Sequence, residues 1–331
     1  MAALPPGEIV DAILSALTDS GAQAQLTSPI RTHPRTLRVI HGSSSYPLWI
    51  YIWTITHGGA TRSLEEYRIQ MTTVTPPLAM NPNGPTLLLG WNAENEVFGG
   101  FDINRHRENF KPGSNSVQIS LAALLAARNF GWGFYTNQYN EIAVAFKPAE
   151  FLNYTQNATA LHADGVRAVG LLNRVVRMEA VPALEIEALP APRKRIVETI
   201  SKLARDANFR DQVVSAYEQR CAVTRTQLKL IDAAHILPVG ADGSTDSVRN
   251  GICLGPTYHR AFDNGLIYLT PDLRMRLNPV KTAKLTAMNL AGGLGQFCGY
   301  LDQEIFLPAN PQQRPAAEYI VRANAFRRIA A

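Results

Sequence analysis

The stretch CAVTRTQLKLIDAAHILPVGADGSTDSVRNGICLGPTYHRAFDNGLIYL, Cys221 to Leu269, holds the strongest structural and chemical signals in the chain. Ile231 to Leu237 is an apolar run carrying one aspartate and one histidine, closed by Pro238 and a Gly/Asp/Ser-rich loop from Gly240 to Ser247; that is the pattern of a short strand before a turn. Gly251 to Leu254 is a second short apolar run. Thr257 is placed to cap a following helix, on which His259 and Asp263 stand four residues apart and share a face. The spacing therefore predicts two strands and a helix that bring His235 opposite His259 and Asp263. Such a set suits metal-assisted hydrolysis. One imidazole takes a proton from water near neutral pH, and the other, with a carboxylate, holds a divalent cation that stabilises charge on a phosphate. Taken singly, each residue is as well explained by packing or by an ordinary polar helix face. Their joint spacing is the signal.

Three segments within this stretch carry a resemblance: AAHILP, NGICL, and HRAFDNGLI with its histidine nine positions after Asn250. Together they resemble the HNH (ββα-metal) nucleases, and look closest to the predicted bacterial HNH restriction endonucleases. The likeness extends upstream through Ala204 to Thr224 and downstream to Arg314–Ile320, and nothing comparable covers the first 190 residues. The resemblance implies that His235 is the general base, that Asn250 braces the loop between the strands and orients His235, and that His259 is a metal ligand. Asp263 falls where colicin-like members carry a further metal-binding histidine.

One departure concerns the metal. Many HNH members have Asp or His immediately before the base, where this chain has Ala234; Asp232, two residues earlier and on the same strand face, is the expected substitute. Arg260 is the nearest basic residue for the scissile phosphate. Arg225 stands where glycine is usual. Mg²⁺ is the expected cation, with Mn²⁺ as the alternative. Many relatives bind a structural zinc through two CxxC knuckles, but here Thr224 and Pro256 occupy the second positions after Cys221 and Cys253. No structural zinc is expected, and the cysteines read as small buried residues.

The rest of the chain is bounded by composition. Its 331 residues fit two domains, and 46% apolar residues exclude disorder throughout. No eighteen-residue apolar run and no basic leader occur, so neither a membrane span nor a signal peptide is expected, and the cytoplasm is the expected compartment. Residues 1–155 carry 10 Lys+Arg against 11 Asp+Glu, a net −1, and the remainder 22 against 16, a net +6, so the positive surplus sits with the half that holds the hydrolytic motif, as a phosphate-binding surface requires.

The chain reads as α+β. Residues 1–180 form an expected mixed recognition or sensing domain, 181–192 a Pro-rich extended linker, and 193–331 the nuclease domain around the core motif 221–269. In the first domain, a helix over Glu8–Leu17, strands at Leu37–Ile40 and Leu48–Thr56, a hairpin at Leu87–Ile103, a capped helix at Ser120–Asn129 and a strand at Glu141–Phe146 are predicted. Ser63–Gln70 fits either a short helix or an edge strand. Aromatic and basic residues in this domain suit a flipped base or groove contacts, and Arg105, His106 and Arg107 are the best DNA-contacting cluster. Arg193, Lys194 and Arg195 are placed to reach phosphates. No second centre of the PD-(D/E)xK kind is present, because no E-x-K follows Asp102 at suitable spacing.

These residues predict a metal-dependent DNA endonuclease of restriction type, reading a short sequence or a modified base on double-stranded DNA as a homodimer. The alternatives are a non-specific, repair or toxin HNH nuclease, and a catalytically degenerate DNA-binding protein.

Overall fold

The computed structural model describes residues 3–59, 62–108, 115–163, 166–179 and 181–329, with the backbone alone at 163, 166–168, 183, 192 and 193. The chain divides into two units, Met1–Ala204 and Arg205–Ala331.

In the first unit the order is α1 (Pro6–Asp19), β1 (Gln23–Leu26), β2 (Arg35–His41), β3 (Ser44–Thr54), β4 (Thr56–His57), β5 (Glu66–Gln70), β6 (Thr86–Asn92), β7 (Val97–Phe101), α2 (Ile103–His106), β8 (Ser116–Ser120), α3 (Leu121–Phe130), β9 (Trp132–Thr136), β10 (Ile142–Phe146), α4 (Phe151–Ala163), α5 (Val166–Val176) and α6 (Ala183–Glu187). Seven strands form one sheet in the order β1-β2-β3-β6-β7-β10-β9. All its pairs are antiparallel except β3–β6. A second sheet has the order β4-β5-β8.

The long apolar runs of β3 and β6 follow from burial of the large sheet on both faces. Leu48, Ile50 and Ile52 of β3 and Leu87 and Leu89 of β6 enter one core, under α1, α4 and α5. The intervening Tyr51, Trp53 and Leu88 enter the other, with the small sheet and α3. Gly90 permits that second contact: a Cβ there would stand 2.4 Å from Ile55 Cγ1. Tyr51, Trp53 and Trp132, candidates for base contacts by composition, are thus core residues.

Several expectations change. Ser63–Gln70 resolves as the strand β5, because β4 and β8 flank it. The expected hairpin ends at Phe101, where Asp102 caps the short helix α2 by accepting from Asn104 N. The expected extended linker contains α6 and the start of α7 (Ala191–Ala216), and the unit boundary falls within α7. Prolines at the first turn of a helix lose no hydrogen bond, so Pro182 and Pro192 border helices rather than breaking them.

The second unit takes the end of α7, then β11 (Asp232–His235), β12 (Gly251–Leu254), α8 (Pro256–Asp263), β13 (Ile267–Leu269), β14 (Met275–Leu277), α9 (Pro279–Ala287), α10 (Leu294–Cys298) and α11 (Ala317–Phe326). Phe209 and Val213 of α7 and Tyr217 just beyond it pack with Ile236, Ile252, Leu254, Phe262 and Ile320 in its core. Helix α8 is capped by Gly255 with Pro256 as its first residue; Thr257, expected as the cap, is the second residue of the helix. The glycine-rich segment after Met288 contains α10.

Candidate active site

Strands β11 and β12 pair antiparallel with Asp232 opposite Leu254 and His235 opposite Gly251. Gly251 lets α7 come against this pair, since a Cβ there would lie 2.2 Å from Val213 Cγ2. One turn earlier on α7, Phe209 stacks on the His235 ring, with centroids 3.8 Å apart and planes 12° from parallel. The His235 side chain keeps 16% of its surface exposed, and its Nε2 lies 3.0 Å from Asp246 Oδ1.

Asn250 is fully buried. Its side-chain oxygen accepts from Leu237 N at 2.8 Å, and Nδ2 contacts Leu237 O at 3.1 Å, Ser244 Oγ at 3.2 Å and Thr245 O at 2.9 Å. One amide therefore ties both ends of the loop between the strands, and a buried amide so satisfied specifies a single loop geometry. From α11, Tyr319 OH meets Thr245 Oγ1 at 2.7 Å and Arg327 Nη1 donates to Ile236 O at 2.8 Å. The Arg327 guanidinium also lies over the Phe262 ring, 4.5 Å from its centroid.

Helix α8 turns His259 toward β11. Its Nδ1 is 3.6 Å from Asp232 Oδ2, and its Nε2 is 3.3 Å from Asp263 Oδ2. The Asp232 carboxylate holds the imidazole above the usual histidine range against burial, which pulls it down, and Asp263 adds to the rise. Ala234, in the position where many relatives place a metal ligand, is buried in the core. The strand carboxylate beside His259 comes instead from Asp232. Among the described residues no set of three His, Cys, Asp or Glu side chains closes on one point as a metal site. The donor chemistry fits a divalent cation held by one His259 nitrogen and one carboxylate, leaving room for phosphate and water oxygens.

Cys221 and Cys253 are buried free thiols, and Cys221 Sγ accepts from Thr224 N at 3.4 Å. Burial first, then the neighbouring Cys221 and Asp232, push the Cys253 thiol up to about 12. Arg225, where glycine is usual, has φ 62°.

The other predicted contacts scatter. Arg260 is exposed on α8 and lines a cavity with Leu285, Leu290, Leu294 and Phe297. In the first unit, Arg105 Nη2 donates to Tyr139 O at 3.0 Å, His106 Nε2 pairs with the buried Glu141, and Arg107 Nε lies 2.9 Å from Glu108. Lys194 is half-buried and Arg195 exposed on α7; the Arg193 side chain lies outside the described residues. Two residues of the site escaped the sequence reading. The spacing of Phe209, Val213 and Tyr217 marks an inward helical stripe, and Asp246 stands four residues before Asn250, but neither pattern by itself points to His235.

Residues 221–270 match the HNH endonuclease family, the span that holds His235, Asn250 and His259. This segment is an HNH endonuclease domain. The protein is accordingly a nuclease, and HNH endonucleases generally use a divalent metal. Upstream of the HNH domain, residues 46–155 match the family described as Methylase-associated X1. No curated protein matches the chain. Among solved structures, the modification-dependent TagI restriction endonuclease is 14% identical, with 80% of this chain and 76% of that chain covered at a TM-score of 0.28. No helix among the described residues is long and apolar enough to cross a membrane.

Proposed function

We propose that this chain is a restriction-type DNA endonuclease whose HNH domain hydrolyses phosphodiester bonds with His235 as general base. The observation that carries the reading is one arrangement: a stacked and hydrogen-bonded His235 on β11, with His259 on α8 flanked by Asp232 of β11 and Asp263 of its own helix. His235 takes the proton of the attacking water. His259, with Asp263 or Asp232, holds the cation, Mg²⁺ in this proposal. When bound, that cation supplies charge stabilisation for the phosphate and its leaving oxygen.

Imidazole presents one nitrogen to a metal, and its other nitrogen commonly donates to an orienting carboxylate. Asp232 and Asp263 approach opposite nitrogens, so the two carboxylates divide these roles. Asp263 faces Nε2 and is the more exposed, 58% against 46% for Asp232. We assign Asp263 as the ligand and Asp232 as the orienting partner. Arg260, Lys194, Arg193 and Arg195 remain proposed phosphate contacts.

The first unit is the proposed reader of a short sequence or a modified base. The match of residues 46–155 to a methylase-associated family supports a restriction role, in which a methyltransferase marks the host DNA. Domain limits of 1–180 and 193–331, a cytoplasmic location and a homodimer on DNA complete the proposal; one active site per chain needs two chains to cut both strands together.

The test is cleavage of matched unmodified and cytosine-modified plasmid with Mg²⁺, Mn²⁺ or EDTA, beside His235→Ala. Discrete fragments that require both metal and His235 are expected. Tight DNA binding without cleavage under any of these conditions would instead support the degenerate binding protein.

A further inference from the structure

We propose that Asp246 is the positioning residue of the general base, and that Asn250 acts on His235 through it. This rests on the reading of His235 as the base. A carboxylate only accepts hydrogen bonds, so the 3.0 Å contact with Asp246 Oδ1 requires His235 Nε2 to carry the hydrogen. In the neutral ring this leaves the lone pair on Nδ1, the one atom able to take a proton from water. Phe209 covers a face of the same ring at 3.8 Å and restricts its rotation. Tautomer and orientation are therefore set by two residues that need not touch the substrate.

The Asn250 side chain bonds the loop rather than the imidazole, and the loop geometry gives it a route to His235. Its amide holds Leu237, two residues beyond the end of β11, and Thr245, directly before Asp246. Thr245 is held again by Tyr319. The carboxylate consequently arrives at Nε2 from a loop pinned on both sides. Asp246 is 39% exposed, and an ion pair in that setting adds little to stability, so a stabilising role does not account for its placement.

Asp246→Asn keeps the shape but lets the amide donate to Nε2, which moves the hydrogen to Nδ1. On the full chain with Mg²⁺ and plasmid DNA, Asp246→Asn is expected to slow cleavage by about two to four orders of magnitude, with DNA affinity and melting temperature unchanged. Asp246→Glu is expected to recover about tenfold of that loss. Long-range ¹H–¹⁵N spectra of the histidines read the tautomer directly: Nε2–H in the native protein, Nδ1–H in Asp246→Asn. Native spectra showing Nδ1–H would overturn the proposal. So would Asp246→Asn cleaving at the native rate while His235→Ala is inactive. Native-rate cleavage by His235→Ala would instead remove the underlying reading of His235.

Discussion

Phe209 stacks face to face on His235, although 26 residues of chain separate them. The contact brings the end of α7 into the candidate active site. Phe209→Leu keeps most of the buried volume and removes the flat face against the imidazole. It is expected to cost under about 1.5 kcal/mol of stability, while slowing cleavage about tenfold, a loss of oriented base. Thermal unfolding and single-turnover cleavage on the same samples separate the two effects.

The division of labour around His259 predicts different signatures for its carboxylates. Asp263→Ala is expected to raise the Mg²⁺ concentration for half-maximal cleavage about tenfold to a hundredfold, with activity restored at high metal. Asp232→Ala is expected to lower turnover that added metal does not restore. The reverse pattern in metal titrations would put the ion at Nδ1 with Asp232.

Asn250→Ala removes the side-chain amide's bonds to Leu237, Ser244 and Thr245 and strands the buried Leu237 N–H. A loss of about 2–4 kcal/mol is expected from the unsatisfied groups, read as a lower midpoint in urea. Cleavage should fall even at temperatures where the variant remains folded, because Asp246 no longer meets His235.

Arg225 occupies the left-handed region at φ 62°, where a side chain costs about 1–2 kcal/mol. Arg225→Gly relieves that cost, offset by the greater freedom of glycine in the unfolded chain. Unfolding in urea should show a net gain of about 0.5–1 kcal/mol. No change in midpoint would mean that Arg225 makes compensating contacts.

The first unit carries a pH dependence of its own. Burial, then the charge of Arg35, hold the His33 imidazole down to about 4 from an ordinary 6.5. The unfolded chain therefore binds a proton that the folded one excludes. The associated stability is complete above pH 6.5 and is lost as pH falls toward 4, in total about 3 kcal/mol. Urea unfolding of the native chain and of His33→Gln across this range checks it: the slope of stability with pH should flatten in the variant.

Much of the site was legible from sequence because its elements are short and local. The apolar runs around Asp232 and Gly251 and the four-residue spacing of His259 and Asp263 place a histidine, an asparagine and a second histidine on β11, a loop and α8, although the helix opens at Pro256 rather than after Thr257. The first unit was legible as strands and helices for the same reason. Its sheet order was not: the parallel β3–β6 pair joins strands more than thirty residues apart, and no local pattern encodes that register.

Sequence by itself determined the ββα unit and where His235, Asn250 and His259 stand in it, since hydrophobic period and helix spacing act within a few residues. Only the tertiary structure decided what surrounds them: Phe209 on His235, Asp246 at its Nε2, and one carboxylate at each nitrogen of His259. Those contacts exist because a helix packs across Gly251 and a buried amide closes a loop. Packing at that range depends on volume and geometry rather than on spacing along the chain.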